Sequence, residues 1–288
     1  MSLVLGSRDF GDHRTLVMAI INRTPDSFYD AGATYAEADA LDRLDEVVSQ
    51  GADIVDIGGV RAGESGETVD VGEELRRTAS FLEQARSRFP DLVISVDTWR
   101  SEVADELCHR GADLVNDTWA GSDPRLAEVA AKHGAGLVCS HTGGLPPRTD
   151  LRRPQYDDVV ADVIGTVTRL AERAVEAGVR RESILVDPTH DFGKTTYHSL
   201  ELTRRLDELV HAGWPVLVAL SNKDFVGETL DVQLDQRLNG TLAATAVSAW
   251  LGARVFRVHE VAQTRQVLDM VASIQGIRLP SRPERGLS

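Results

Sequence analysis

Cysteine is scarce in this chain. Cys108 and Cys139 are the only two among 288 residues, too few for a disulfide framework. Both sit inside apolar stretches and are expected as buried thiols of a reducing compartment. Long apolar runs are lacking as well: none approaches the roughly 20 residues of a bilayer span. The segment from Met1 to Arg14 carries Arg8, Asp9, Asp12, His13 and Arg14 and has no continuous apolar core of the signal-peptide kind. The expected placement is cytoplasmic, with no membrane partner. Basic residues are outnumbered, Lys+Arg 31 against Asp+Glu 45, for a net charge of −14. That balance excludes a broad nucleic-acid surface, which needs clustered cations. A local anion site stays open.

What is present is a regular alternation. The hydrophobic share of 42% is enough for a sizeable core. Eight short runs rich in Val, Ile and Leu recur: Thr15–Ile21, Asp53–Gly59, Leu92–Thr98, Asp113–Thr118, Ala135–Ser140, Ser183–Pro188, Pro215–Leu220 and Ala253–His259. Each is apolar on both faces, as a strand of a parallel sheet is. Amphipathic segments lie between them: Ala36–Gln50, Val71–Arg88, Ser101–Arg110, Arg125–His133, Tyr156–Gly178, Ser199–His211, Gln233–Leu251 and Ala262–Ile277. Gly51, Gly111, Gly134, Gly178, Gly213 and Gly252 follow helices as C-terminal stops. Eight strand–helix units predict an α/β fold, a single-domain (β/α)8 barrel over 15–277. A doubly wound open sheet is the alternative. Residues 1–14 read as an N-terminal extension, and 278–288 as a disordered tail.

In such a barrel the active site lies at the C-terminal strand ends. The polar residues there are Asn22, Asp56, Asp97, Asn116, Asp117, His141, Asp187, Lys223, Arg257 and His259. Singly, Asp and Asn read as caps or turn residues. Arg257 and His259 alternate within an apolar strand and share one side, so burial demands a ligand or an acidic partner. The Asp and Asn set suits a heterocycle; Lys223, Arg257 and His259 suit a phosphate or carboxylate. Residues 23–34 and 58–70 read either as lids or as plain surface loops.

Seven ordered motifs resemble the dihydropteroate synthase family between about residues 15 and 275. Asn22-Arg-Thr-Pro-Asp-Ser-Phe-Tyr-Asp-Ala-Gly32 is similar to the first family signature, and Gly51-Ala-Asp-Ile-Val-Asp-Ile-Gly-Gly59 to the second. Ser95-Val-Asp-Thr98, Val115-Asn-Asp117, Asp187-Pro188 with Phe192-Gly-Lys194, Ser221-Asn-Lys223 and Arg257-Val-His259 follow in order. The resemblance implies a barrel that joins 6-hydroxymethyl-7,8-dihydropterin pyrophosphate to p-aminobenzoate, with Mg2+, as a homodimer. It implies that Asp97, Asn116, Asp187 and Lys223 hold the pterin. Arg257 and His259 would hold the pyrophosphate and Asn22 the metal. Phe192 and Asp224 would border the aminobenzoate side. Lys223, Arg257 and His259 would be the catalytic set.

The departures point elsewhere. Where the family's second loop reads G-G-E-S-T-R-P-G, this chain has Val60, Ala62 and Gly63 in place of Glu, Thr and Arg. Arg61 could substitute for the Arg only if the loop shifts. Thr189, His190 and Asp191 replace small or neutral residues after strand six. Asn222 replaces an Arg, and Asp224 stands near the expected aminobenzoate carboxylate, where like charges repel. Arg23 and Tyr29 change loop one. The rim gains acid at Glu64, Asp191 and Asp224, which Arg23, Arg61 and His190 offset only partly. The expectation is a synthase homologue with weak, altered or absent activity that still binds pterin. The alternatives are an active synthase with a variant rim, a non-catalytic pterin-binding or regulatory paralogue, and a transferase using an uncharged or cationic amine.

Overall fold

The computed structural model describes residues 2–24, 36–61, 68–149 and 154–285. A hairpin of β1 (Val4–Leu5) and β2 (Arg8–Asp9) precedes eight parallel strands. These are β3 (Leu16–Asn22), β4 (Ile54–Gly58), β5 (Val93–Asp97), β6 (Leu114–Asp117), β7 (Gly136–Ser140), β8 (Ile184–Asp187), β9 (Leu217–Ala219) and β10 (Val255–Val258). They pair in the order β8-β7-β6-β5-β4-β3-β10-β9. A parallel bridge between Val186 and Val216 closes the ring, with the Val186 N–H donating to the Pro215 carbonyl at 3.0 Å. The closed barrel thus prevails over the open sheet.

Period-two alternation divides the strand side chains into two cores. Val17, Ala19 and Ile21 of β3 face the helices, while Leu16 and Met18 face the barrel axis with Ile54, Val93, Leu114, Val138, Leu185, Leu217 and Val255. The axial group also contains Leu3, Leu5 and Phe10. The segment expected as an extension therefore covers the N-terminal mouth of the barrel. Arg254 fastens it, donating to the carbonyls of Gly11 at 2.7 Å and Asp12 at 2.6 Å. Gly136 in β7 is explained by the same contact. A Cβ there would lie 2.6 Å from the Ser183 carbonyl and 3.0 Å from Leu5.

The helices are α1 (Glu37–Ser49), α2 (Val71–Arg88), α3 (Ser101–His109), α4 (Leu126–His133), α5 (Val159–Glu176), α6 (Thr196–Arg204), α7 (Leu206–His211), α8 (Asp224–Leu230), α9 (Leu238–Trp250) and α10 (Val261–Ile274). The six predicted glycine stops all adopt positive φ. Four helix expectations need correction. The helix expected from Tyr156 begins at Val159, because the Asp158 carboxylate caps the N–H groups of Val160 and Ala161. The one expected from Ser199 begins at Thr196 under a capping box of Thr195 and His198, then breaks at Arg205 (φ −109°, ψ 26°). The stretch from Gln233 opens as a 3₁₀ turn before α9. Helix α8 was not expected at all. Cys108 and Cys139 are buried free thiols, as expected.

Candidate active site

The axial core turns polar toward the C-terminal strand ends. Asp56 of β4 is completely buried and organises this layer. It accepts from Ser95 Oγ at 2.5 Å, from Asn116 Nδ2 at 3.1 Å and from Arg257 Nε at 2.6 Å. Arg257 Nη2 donates to Asp97 at 2.8 Å, and Asp97 also accepts from Thr118 Oγ1 at 2.8 Å. Arg257 thus has the acidic partners its burial demanded. Burial works against its charge, but Asp56 and Asp97 outweigh that and raise its pKa. Burial raises the Asp97 carboxyl; Arg257 opposes the rise and Asp56 adds to it.

A cavity of about 280 Å³ opens above this layer. Asn22, Asp97, Lys223, Asp224, Arg257 and His259 line it, as do Phe192 and Asp191. Asn116 and Asp187 are buried at 3% and 6% exposure and are not among its lining residues. The Asn116 amide is used on Asp56, and Asp187 accepts from the Thr189 N–H at 2.7 Å. Of the residues expected to hold a pterin, the structure therefore brings Asp97 and Lys223 to the cavity wall. Burial raises the Asp187 carboxyl, with Lys223 opposing. Burial likewise lowers the Lys223 ammonium, against the pull of Asp191 and Asp187.

Lys223 donates to the His190 carbonyl and lies 5.0 Å from the Phe192 ring centroid. Phe192 also meets the edge of Trp119 at 5.6 Å, and Trp119 meets Trp99 at 6.4 Å. Below the loop that follows β8, Lys194 is buried. Its Nζ donates to the carbonyls of His141 at 2.9 Å, Thr189 at 3.1 Å and Phe192 at 2.9 Å, and lies 2.9 Å from His141 Nδ1. Burial lowers its pKa to about 7; Lys223 adds to the fall and Asp187 opposes it. This lysine posts the Phe192 loop onto the end of β7. The Phe-Gly-Lys motif contained it, but a structural post carries no sequence mark of its own.

Several rim expectations change. Asp224 is not an unopposed charge: Arg237 pairs with it at 2.8 Å and also donates to the Asn222 carbonyl at 2.8 Å. Asn222 donates to Glu260 at 2.8 Å. Arg23 offers no rim cation, since it is buried against the Phe81 ring and donates to the carbonyls of Arg77 at 3.1 Å and Ala36 at 3.0 Å. His190 is fully buried, and burial first, then Lys223 and Lys194, hold its pKa well below the usual value. It is neutral and adds no charge. Arg61 and Val60 both line the cavity, so loop two keeps an arginine at the rim although Gly63 stands at the expected position. Of the candidate lids at 23–34 and 58–70, residues 25–34 and 62–67, with Tyr29, Ala62, Gly63, Glu64 and Ser65, lie outside the described residues.

Asp191 was expected only as added acid, yet its carboxylate bridges α6 and α8. It accepts from Ser199 Oγ at 3.0 Å and from the Phe225 N–H at 3.3 Å, at the start of α8.

Comparison with known proteins adds an independent line. A family model described as pterin binding enzyme matches residues 18–259. A Mycobacterium leprae protein named inactive dihydropteroate synthase 2 is 59% identical over 292 residues, covering 100% of each chain. The structure of Yersinia pestis dihydropteroate synthase with a sulfonamide drug aligns at TM-score 0.90 and 34% identity, covering 96% of this chain and 100% of that one. Thermus thermophilus dihydropteroate synthase in complex with 4-aminobenzoate aligns at TM-score 0.80 and 33% identity, over 95% and 100%.

Proposed function

The chain belongs to the pterin-binding enzyme family, and from that premise we propose that it is a dihydropteroate synthase homologue of folate biosynthesis whose condensation activity is weak or absent. The carrying observation is a division within one cavity. Its floor keeps Asn22, Asp97, Lys223, Arg257 and His259, while Val60, Asp191 and Asp224 stand on its rim.

The reference reaction breaks the C–O bond between the pterin methylene and pyrophosphate, whose oxygen keeps the electron pair. The arylamine nitrogen bonds the methylene carbon and loses a proton to solvent. On this reading Asp97 and Lys223 hold the pterin from the cavity wall, and Asn116 and Asp187, buried behind it, reach the ring by exchanging their bonds to Asp56 and Thr189; the pterin's amide and amino groups match such carboxylate and amide partners. Arg257 and His259 receive the pyrophosphate, whose charge grows as the bond breaks. Arg257 must then exchange part of its Asp56 and Asp97 bonding for phosphate oxygens. Phe192 and Asp224 border the arylamine. Catalysis would rest on Lys223, Arg257 and His259.

A Mg2+ ion fits the donor chemistry. Asn22 lines the cavity with an amide oxygen, a hard donor, and Mg2+ is commonly held by one or two protein oxygens with phosphate and water completing its shell. Among the described residues no group of three or more His, Cys, Asp or Glu side chains could hold a metal alone. Asn22 would hold the ion, which when bound supplies charge neutralisation to the leaving pyrophosphate.

The proposed partners are a pterin pyrophosphate and an arylamine of the aminobenzoate type, with no nucleic acid and no membrane. Among the described residues no helix is long and apolar enough to cross a bilayer. A cytoplasmic placement agrees with the free buried thiols. A homodimer is also proposed, supported by exposed apolar side chains on α9 and α10, namely Val247, Trp250, Met270 and Ile274.

The test gives the full chain both substrates with Mg2+. Pterin binding is read from quenching of Trp99 and Trp119, and dihydropteroate formation is followed alongside. The expected outcome is measurable pterin binding with turnover at least about a hundredfold below an intact synthase, the loss typical of one missing charge-stabilising contact. Turnover equal to that of an intact synthase would sink the proposal.

A further inference from the structure

The loop after β8 carries a carboxylate of the chain itself into the cavity. Thr189 and Asp191 flank His190, and both adopt left-handed backbone, φ 52° and 71°. Such positions cost a non-glycine residue roughly 1–3 kcal/mol and persist only where other contacts hold them. Both are held here. Thr189 Oγ1 accepts from the His141 N–H at 3.2 Å and donates to the Asp187 carbonyl at 3.1 Å. The Asp191 N–H donates to Ser199 Oγ at 3.1 Å, and Ser199 Oγ donates to the Asp191 carboxylate at 3.0 Å.

The other carboxylate oxygen of Asp191 receives the Phe225 N–H. That N–H belongs to the first turn of α8, where helical donors have no partner within the helix. Lys223 directs one N–H to the His190 carbonyl. Asp224 is neutralised by Arg237, whereas Asp191 has no salt bridge of its own among the described residues and shares only the longer-range pull of Lys223 and Lys194. The negative charge that an entering ligand meets is therefore that of Asp191.

We infer that Asp191 sets the charge class of the second ligand: the cavity takes an arylamine whose far end is uncharged or cationic and turns away one ending in a carboxylate. This rests on the pterin reading, which puts the amine end toward the Asp97–Arg257 floor and the opposite end against Asp191. A ligand carboxylate would have to displace Asp191 from the Phe225 N–H or lie beside it. Two like charges at close range in a partly buried site repel by enough to weaken binding about ten-fold or more.

The experiment titrates the full-length protein with 4-aminobenzoate, 4-aminobenzamide and 4-aminobenzylamine, each with and without 6-hydroxymethylpterin. It is repeated on Asp191→Asn, which keeps hydrogen bonding without the charge, and on Asp191→Gly, which also relieves the left-handed backbone. Thermal melts establish that each variant is folded. The native chain is expected to prefer the amide and the benzylamine over the benzoate by about ten-fold or more, and both variants to shift the ratio toward the benzoate by a similar factor. A native chain that binds benzoate as tightly as the amide, or binds none of the three, overturns the inference. So does a ratio unchanged in both variants. If the pterin fails to bind while the ratio behaves as stated, the pterin reading falls and the role of Asp191 stands.

Discussion

His190 shows how much one buried group can weigh. Its Nε2 bonds Thr203 Oγ1 at 3.1 Å, while Nδ1 has no partner. An orphaned buried acceptor costs about 1–3 kcal/mol. His190→Ile removes that acceptor, and Thr203 keeps its bond to the Ser199 carbonyl at 2.9 Å. The substitution is expected to stabilise the fold by about 1 kcal/mol in urea unfolding. It also changes the pH response. The folded-state pKa of His190 lies far below its unfolded value, so the unfolded chain binds the extra proton and stability falls as pH drops below about 6.5. His141 acts in the same direction, since burial, with Lys194 adding to it, lowers its pKa to about 4. Below about pH 6.5 each residue contributes up to about 1.4 kcal/mol per pH unit of slope, His141 until about pH 4. Melts from pH 7.5 down to 5 should show a shallower acid slope in His190→Ile, and an unchanged slope would refute the assignment. The site's residues were legible to unequal degrees. Alternation in β10 required an acidic partner for Arg257, but Asp56 lies 201 positions earlier, a pairing that barrel closure creates and local pattern does not. Asp191 read only as added rim acid because its helix-capping bond spans 34 positions.

Elements were legible where their periodicity was long. Strands buried on both faces are continuous apolar runs, and helices of two turns or more show a stripe, so the predicted elements fall within a few residues of those observed. Helix α8 has seven residues, too few for a stripe, and it is held by a cap from outside itself. The N-terminal hairpin escaped for a different reason. Two-residue strands carry no pattern, and their role appears only once the barrel mouth exists to be covered. Leu5 is fully buried against that mouth. Leu5→Ala is expected to destabilise the chain by about 2–5 kcal/mol, the usual range for a buried leucine. Urea unfolding measures this, and a loss below about 0.5 kcal/mol, the range of ordinary surface changes, would show that the hairpin is peripheral to the core.

At the scale of the whole molecule, the net charge of −14 opposes the association of two copies. A dimer must then draw on apolar area. Helix α9 turns its hydroxyls inward: it buries Thr241, Thr245, Ser248 and Ala249 and leaves Val247 and Trp250 outward. Its neighbour α10 leaves Met270 and Ile274 exposed, and Ile277 and Leu279 extend the strip. Large exposed apolar side chains gathered on two packed helices mark an interaction surface more often than chance exposure does. A stable interface needs about 1,200–2,000 Å² in total, so these side chains would form its centre, with polar residues at the rim. Light scattering on the full chain should give twice the protomer mass of 31.4 kDa. Screening shortens the reach of the like charges, so raising salt from about 0.01 M to about 0.15 M, which cuts the Debye length from about 30 Å to about 8 Å, should strengthen the dimer. The double substitution Trp250→Glu with Met270→Glu should yield a folded protomer of unchanged pterin affinity, because this face does not line the cavity. A native chain that runs as a protomer at micromolar concentration and at either salt would refute the dimer while leaving the barrel and its site as they stand.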